Sequence, residues 1–466
     1  MHQIDWFVLC FYFVGILYVI LKVRKVGNIE DFAVASRNVA GPIVFATLAA
    51  SIVGPGYTIG LGEKGYNLGY IFYFICLMFC VQTIFTAFFI APKLRKFENA
   101  FTIGDIIGIH YGYFAKFLCG IVSFLYCAAI VGVVAKASGD LIHYFTKFDF
   151  FWSVIVSTLI VIIYSTHGGI KAVVVTDVLQ FIVLVICIPL VLFFAMEDIN
   201  FNNFQSLYNT NFADFGGGLS SVAIFGLAVS FLLGEALVPP YVSRALMAKS
   251  PEDAKKGFLF SGLFMIFWYF IVISIGVCGR FIFADIPPSS TFFEMMSKYT
   301  PVGILGLIAA SLISVIMSTM DSFLNTGSVV FTFDLMLTRK KDSFKEKALK
   351  TTKFVNILTG VLAVTFALSI PNLIDAIVIV FTFWAPSVVL PLMICVLKKK
   401  VNPLSGALGI FFGILTTAIC EFGFSSPPFG LPSVITGIVG NQIAFWVVEL
   451  INPDIKSKLL VPIKIN

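Results

Sequence analysis

The chain has 466 residues, of which 59% are hydrophobic and only 12% are charged, and its formal net charge is +6. Because soluble globular proteins carry about 25% charged residues, this composition excludes a soluble domain and indicates a surface that mostly faces lipid. The apolar runs do not alternate with polar residues as the strands of a membrane barrel do. We therefore expect spanning helices, whose backbone hydrogen bonds are all internal.

Thirteen apolar segments are long enough to span a bilayer, which takes about 20 residues per helix. They lie near residues 3–23, 40–62, 69–91, 112–136, 149–166, 168–196, 217–239, 258–284, 302–337, 352–371, 373–397, 403–422 and 431–451. The polar stretches between them, including residues 240–257 after the seventh segment, are predicted to be loops.

Basic residues are unevenly distributed between the two sides of these spans. If the N-terminus lies outside, all but five of the 31 lysines and arginines fall on the cytoplasmic side, with Arg244 in the loop 240–257 among them. This positive-inside asymmetry predicts an outer N-terminus and a cytoplasmic C-terminus. The net charge therefore reports topology and not a nucleic-acid partner, and we expect a multi-pass protein of a bacterial inner (plasma) membrane.

The sequence contains no motif of enzyme chemistry. Neither HExxH, GxSxG nor a phosphate-binding loop occurs, and the nine cysteines include no CxxC pair. We therefore predict that the protein is not an enzyme and has neither a disulfide framework nor a cysteine metal site.

Two of the predicted spans contain clusters of helix-breaking residues. The second has Gly54, Pro55 and Gly56 at mid-depth, and the seventh ends at Pro239 and Pro240. Proline removes a helical hydrogen bond and glycine relaxes the backbone, and in lipid such a break persists only where it is buried or lines a wet cavity. Ordinary kinks would explain either break alone, but matching breaks in two five-span halves are typical of an inverted-repeat transporter.

Three carboxylates, Asp177, Glu235 and Asp321, lie in apolar surroundings within the predicted spans. Charged residues inside a membrane are costly and usually functional. At Asp177 the cost favours a cationic partner or a bound cation, the alternative being hydrogen bonds to backbone or hydroxyl groups. The hydroxyl-rich stretch 318–322 either supplies oxygen ligands for a hard cation or joins two helices.

Three segments together resemble the sodium:solute symporter family, which includes the sodium/glucose, proline, pantothenate and sialic acid carriers. Residues 166–180 (THGGIKAVVVTDVLQ) are similar to its GG(L/I)xAVxxTDxxQ signature, and residues 317–325 (MSTMDSFLN) to its MSTxDSxLN segment. Residues 239–250 (PPYVSRALMAKS) resemble a third stretch of the family. The resemblance covers roughly residues 5–450.

The resemblance implies an all-α polytopic membrane protein with the leucine-transporter-type five-plus-five inverted repeat. Residues 1–466 would then form a single membrane transport domain, with a leading helix at 3–23, a first repeat at 40–196, a second at 217–397 and two trailing helices at 403–451. It implies sodium-coupled symport of a small organic solute by alternating access. A proton-coupled carrier of the same fold and a solute-sensing membrane protein remain alternatives.

Sodium is the coupling ion that the resemblance implies. The family's central sodium site uses carbonyls of the broken second span and a carbonyl and two hydroxyls of the ninth. The matching residues are Ala50, Val53, Val315, Ser318 and Thr319. A slip of one residue in the second span would instead give Ala49 and Ile52.

Some members of the family hold a second cation at the aspartate of the sixth span, which here is Asp177. Its other ligands would be Asp321 and Ser322. Because an aspartate replaces a hydroxyl at position 321, we expect this candidate second cation site to be altered.

Matching the family's substrate positions gives six residues of this chain. They are Ile52, Tyr57, Phe231, Glu235, Phe383 and Trp384. An apolar Ile52 argues against the sugar pattern, and a fourth span without a mid-membrane arginine argues against sialic acid. Glu235 favours a cationic or amine-bearing solute, or a carboxylate that takes up a proton, the alternative being a hydrogen bond to free backbone at the break. The solute and the oligomeric state stay open.

Overall fold

The computed structural model describes residues 1–22, 26–196, 218–283, 285–336, 344–369, 373–398, 401–424, 428 and 431–451. Their regular secondary structure is helical. The α-helices are α1 (Gln3–Lys22), α2 (Ile29–Val34), α3 (Gly41–Ile52), α4 (Leu61–Leu68), α5 (Ile71–Phe89), α6 (Ala91–Leu94), α7 (Ile103–Thr146), α8 (Phe150–Met196), α9 (Ser221–Leu233), α10 (Pro239–Met247), α11 (Pro251–Ile282), α12 (Thr291–Tyr299), α13 (Ile304–Val330), α14 (Phe344–Ser369), α15 (Leu373–Trp384), α16 (Leu390–Leu397), α17 (Pro403–Phe422) and α18 (Ser433–Ile451).

Nine helices in the described part of the chain are long and apolar enough to cross a membrane, and a bent pair at residues 41–68 makes ten. The prediction of a helical multi-pass membrane protein is therefore confirmed. The total of thirteen spans and their orientation stay predictions, since the apolar parts of α1 and α9 are shorter and α8 contains two predicted spans.

Helix α8 has 47 residues, which would extend about 70 Å at 1.5 Å per residue, more than twice the thickness of a bilayer core. Gly169 divides it, because its φ of 54° and ψ of −155° lie outside helical values. A Cβ at Gly169 would lie 2.8 Å from the Cα of Phe32 in α2. This break lies at the start of the predicted sixth span (168–196), directly after the predicted fifth span.

The first proline–glycine cluster bends the second span as predicted. Helix α3 ends at Ile52, a π-helical turn follows at Gly56–Gly60, and the segment Gly56–Leu68 leaves at 67° to α3. A Cβ at Gly54 would lie 2.8 Å from Oγ1 of Thr319 in α13. The break therefore touches the predicted ninth span directly.

The second cluster begins a helix, and the prediction of a loop at 240–257 is wrong. Pro239 and Pro240 are the first residues of α10, all nine residues of which are buried. Proline is favoured in the first turn of a helix, where its missing N–H has no partner to lose. Arg244 therefore lies inside the protein, fully buried, and not in a cytoplasmic loop.

Helix α13 is the centre of the packing. It contacts α1, α3, α7, α8 and α14, and every residue from 314 to 330 is buried. The hydroxyl-rich stretch 318–322 is consequently removed from lipid on all sides.

A buried ion-pair cluster holds the two parts of α7 together. Gly112 breaks α7 with a φ of 82°, and Lys116 after the break lies 2.8 Å from Asp105 before it and 3.5 Å from Asp334. We expect Lys116→Met to destabilise the protein by about 3 kcal/mol, because it removes the cation between two buried carboxylates. Thermal unfolding in detergent measures this.

The matched control is Lys136→Met on the same helix. Lys136 pairs with the partly exposed Asp140 at 3.1 Å, and exposed pairs at this spacing contribute only about 0.3–0.5 kcal/mol. Equal shifts in unfolding temperature for the two variants would contradict a structural role for the buried cluster.

Candidate functional site

The first break frees two backbone carbonyls of the second span. The Gly54 N–H donates to the carbonyl of Ile52 at 2.7 Å, and the Tyr57 N–H to that of Gly54 at 3.0 Å. In a regular helix these N–H groups would have bonded to residues four positions earlier, which are Ala50 and Val53. Their carbonyls thereby lose their helical donors, although Val53 accepts the hydroxyl of Thr58 with one lone pair, at 3.0 Å.

The alternative register would use carbonyls that are already bonded. The carbonyl of Ala49 accepts the Val53 N–H at 2.9 Å, and that of Ile52 accepts Gly54. The hydrogen-bond pattern therefore favours Ala50 and Val53 over Ala49 and Ile52 as sources of free carbonyl oxygens.

The facing part of α13 supplies the other candidate ligands. Val315, Ser318 and Thr319 are at most 4% exposed and share one helix face through their spacing. The Thr319 hydroxyl donates to the Val315 carbonyl at 3.0 Å and lies against Gly54. A buried set of carbonyl and hydroxyl oxygens at a helix break fits sodium, a hard cation that takes oxygen ligands.

Asp177 is paired with a guanidinium group. Nη2 of Arg244 lies 3.2 Å from its Oδ2, which also accepts the hydroxyl of Thr47. The same Nη2 donates to Ser322 at 2.6 Å and to Ser51 at 3.1 Å. This network connects α3, α8, α10 and α13, and Arg244 supplies the positive charge within it.

Ser318 connects the two candidate cation sites. Its hydroxyl donates to Oδ1 of Asp177 at 2.6 Å, so it belongs to the Asp177 network as well as to the face of Thr319. Asp321 is placed differently, because its Oδ2 accepts the hydroxyl of Tyr164 at 2.6 Å and its Oδ1 that of Ser322 at 3.4 Å. Ser322 bonds to both Arg244 and Asp321 and so links the three residues predicted for a second cation. The two carboxylates nevertheless face different partners, Arg244 at Asp177 and Tyr164 at Asp321.

The substrate residues predicted in the segments 40–196 and 217–397 come together near the two breaks. The ring of Tyr57 stacks on Tyr269 at 5.4 Å and meets the edge of Phe231 at 6.2 Å. Ile52 is 1% exposed at the end of α3. Glu235 lies between α9 and α10, where its Oε1 accepts the hydroxyl of Tyr241 and not a backbone N–H.

The eleventh span contributes one of its two predicted residues to this region. Trp384 is fully buried, donates to the carbonyl of Ala236 at 2.9 Å and contacts Tyr126 at 5.0 Å between ring centres. Phe383 instead stacks on Phe422 of α17 at 6.0 Å. Phe383 therefore lies on the side of α15 that faces the trailing helices.

Several residues of the site were not found by sequence reasoning. They are Thr47, Ser51, Tyr126, Tyr164, Tyr241, Arg244 and Tyr269, together with Trp268, whose indole N–H donates to the Tyr57 carbonyl at 3.1 Å. Tyr241 and Arg244 belong to the stretch 239–250, whose resemblance to the family implies no role for either residue. A tyrosine on an apolar span carries no comparable signal.

Comparisons with known proteins agree with one another. The sequence model of the sodium:solute symporter family (SSF) matches residues 32–413. "Sodium/glucose cotransporter 4" of Mus musculus is 22% identical over 498 residues, covering 92% of this chain and 71% of that protein. "Sodium/proline symporter 2" of Staphylococcus saprophyticus is 24% identical, covering 91% and 88%.

A solved structure has the same fold. It is a Na+-coupled sialic acid symporter in a substrate-bound outward-open state, with a TM-score of 0.83 and 17% identity over 97% of this chain and 98% of that one. A nucleobase-cation-symport-1 family transporter in a closed conformation has a TM-score of 0.61 and 11% identity over 90% of this chain and 95% of that one.

Proposed function

The chain belongs to the sodium:solute symporter family, and from this we propose that it carries a small organic solute inward with one sodium ion bound between α3 and α13. The observation that supports this site is the release of the Ala50 and Val53 carbonyls opposite Val315, Ser318 and Thr319. The protein is an integral multi-pass membrane protein. We place it in a bacterial inner (plasma) membrane with thirteen spans, the N-terminus outside and a five-plus-five inverted repeat.

Sodium couples to the solute because its ligands come from two separate helices. A bound ion holds the broken second span against α13, and it therefore favours the arrangement in which those helices are in contact. Loss of the ion to the cytoplasm releases that arrangement. One sodium moving down 100 mV contributes about 2.3 kcal/mol, which corresponds to about 50-fold accumulation of a neutral solute.

We infer a single sodium ion because Arg244 already supplies a cation at Asp177. Its Nη2 contacts Asp177, Ser322 and Ser51 together, so the guanidinium takes the place that a second ion would have. The family resemblance alone left this site open.

The expected stoichiometry is one sodium per chain. Equilibrium binding of 22Na+ to the purified protein should saturate at that ratio with a Hill slope near one, and potassium should not compete at equal concentration. Saturation at two ions per chain would instead place a cation at Asp177 and overturn the role given to Arg244. No saturable binding would overturn the sodium site itself.

A proton-coupled carrier is the second candidate, and Asp321 is the residue that favours it. Its carboxyl group is fully buried and accepts hydrogen bonds from Tyr164 and Ser322, while the described ion pairs do not include it. Proton coupling would appear as uptake driven by a pH gradient in sodium-free buffer. A solute-sensing protein would bind 22Na+ without passing it across proteoliposomes.

A further inference from the structure

Glu235 is a buried carboxylate to which the described part of the chain supplies no cation. It is 6% exposed at the break between α9 and α10. Oε1 accepts the Tyr241 hydroxyl, and the Tyr57 hydroxyl also interacts with the carboxyl group. Oε2 accepts no hydrogen bond of regular geometry from any described residue. An ionised carboxylate out of water is costly unless it is paired. At Asp177, by contrast, the guanidinium group of Arg244 pairs with the buried carboxylate.

Two further buried oxygens near Glu235 also lack a partner among the described residues. They are the hydroxyls of Tyr126 in α7 and Tyr269 in α11. The ring of Tyr126 contacts Trp384, whose indole N–H donates to the carbonyl of Ala236 next to Glu235. The ring of Tyr269 stacks on Tyr57, whose hydroxyl interacts with Glu235. Because an unpaired buried polar atom costs about 1–3 kcal/mol, three of them in this region indicate a ligand with hydrogen-bond donors.

Aromatic rings enclose the same region from both repeats. Tyr57 stacks on Tyr269 at 5.4 Å, and Tyr126 contacts Trp384 at 5.0 Å. Two indole groups hold the broken backbones beside these rings, because Trp384 donates to Ala236 and Trp268 to the Tyr57 carbonyl at 3.1 Å. Aromatic faces around a cation, with one carboxylate to balance its charge, are the known physical basis of ammonium recognition.

We propose that the transported solute is a small organic cation with a protonated primary amine, bound at Glu235 within the cage formed by Tyr57, Tyr126, Tyr269 and Trp384. The ammonium group has three N–H donors, which match the three unpartnered oxygens of Glu235, Tyr126 and Tyr269. A quaternary ammonium would satisfy the charge and the rings but none of these oxygens. This proposal rests on the symport function above and names the solute class for that function.

The test measures binding of three probes of similar size to the purified protein at neutral pH, with and without sodium. Propylammonium carries the charge and the donors, tetramethylammonium only the charge, and 1-propanol neither. Quenching of tryptophan fluorescence reports binding, since Trp384 lies in the cage. We expect saturable binding of propylammonium that is tighter with sodium, binding of tetramethylammonium at least about tenfold weaker, and none of 1-propanol.

Two variants separate the charge from the hydroxyl groups. Glu235→Gln keeps the shape and should weaken propylammonium at least about tenfold, because it removes the charge-assisted bond. Glu421→Gln, the same change at the partly exposed end of α17, should leave affinity unchanged. Tyr269→Phe keeps the ring but removes one acceptor oxygen. It should therefore reduce the ratio of the affinities for propylammonium and tetramethylammonium.

Each outcome bears on one of the two proposals. Equal binding of 1-propanol, unchanged affinity in a folded Glu235→Gln variant, or no saturable binding of propylammonium would overturn the ammonium site. If 22Na+ binding to the wild type persists in those cases, the symport function stands and only the solute class is wrong. If 22Na+ binding is also absent, the result contradicts the proposed sodium symport, on which the ammonium proposal rests.

Discussion

Thr319→Ala is expected to abolish sodium binding at physiological sodium concentrations while leaving the protein folded in the membrane. The change removes one proposed hydroxyl ligand, which lies against the broken second span. A polar contact to a charged group contributes about 1.5–3 kcal/mol, so the expected loss of sodium affinity is about 10- to 160-fold. Binding of 22Na+ and sodium-dependent solute counterflow in proteoliposomes both measure it.

Thr326→Ala is the matched control for this substitution. Thr326 lies two turns further along α13, is 6% exposed, and its hydroxyl bonds to no described residue. We expect near-normal sodium affinity in that variant. Unchanged sodium binding in Thr319→Ala, with both variants folded, would remove Thr319 from the site.

Ser318→Ala should have an effect of at least the same size. It removes a second candidate ligand and also the hydrogen bond to Oδ1 of Asp177. A fall in sodium affinity together with a lower unfolding temperature would distinguish it from Thr319→Ala, whose hydroxyl bonds within its own helix.

Arg244→Gln is expected to destabilise the protein by about 3–5 kcal/mol. Both Arg244 and Asp177 are fully buried, and removing one partner of such a pair leaves an uncompensated charge. Thermal unfolding in potassium chloride measures the loss of stability. Sodium is left out because, in our proposal, it could bind Asp177 in place of the guanidinium, whereas potassium would not.

The double variant Arg244→Gln/Asp177→Asn is the critical comparison. If the pair acts as a unit, the second change should recover part of the stability that the first one lost, and the two effects should not add. Additive effects would contradict a direct pairing. Recovery of Arg244→Gln by sodium chloride but not potassium chloride would show that the vacated carboxylate now binds sodium.

The sequence predicted the membrane class and the two breaks because each has a local signal, whereas the sodium ligands in the Thr319 segment stay a prediction. The length of apolar segments identifies spans, and clusters of proline and glycine identify breaks. The motif at 317–325 contains the hydroxyls of Ser318 and Thr319. The register of Ala50 and Val53 also agrees with the backbone pattern, since Gly54 and Tyr57 redirect their N–H groups.

The position of Arg244 could not be predicted in the same way. Hydropathy assigns a basic residue after a proline pair to a loop, and α10 has only nine residues. Its burial depends on Asp177, which lies 67 positions earlier in the chain. Likewise, the aromatic rings that contact Tyr126 and Tyr269 belong to helices distant in sequence. The side of α15 on which Phe383 lies depends on its contact with Phe422. These features arise from tertiary packing.

The Arg244–Asp177 pair also restricts how this sequence can change over generations. A single codon change that neutralises either residue leaves the other charge buried without a partner. Variants with one such change would yield less folded protein, whatever their effect on transport. The hydroxyls of Thr47, Ser51 and Ser322 are oriented by the same pair. If one sodium is bound as we propose, the residues that set this stoichiometry lie on four helices and must change together. A related protein that gained a second sodium at Asp177 would have to pass through poorly folded intermediates.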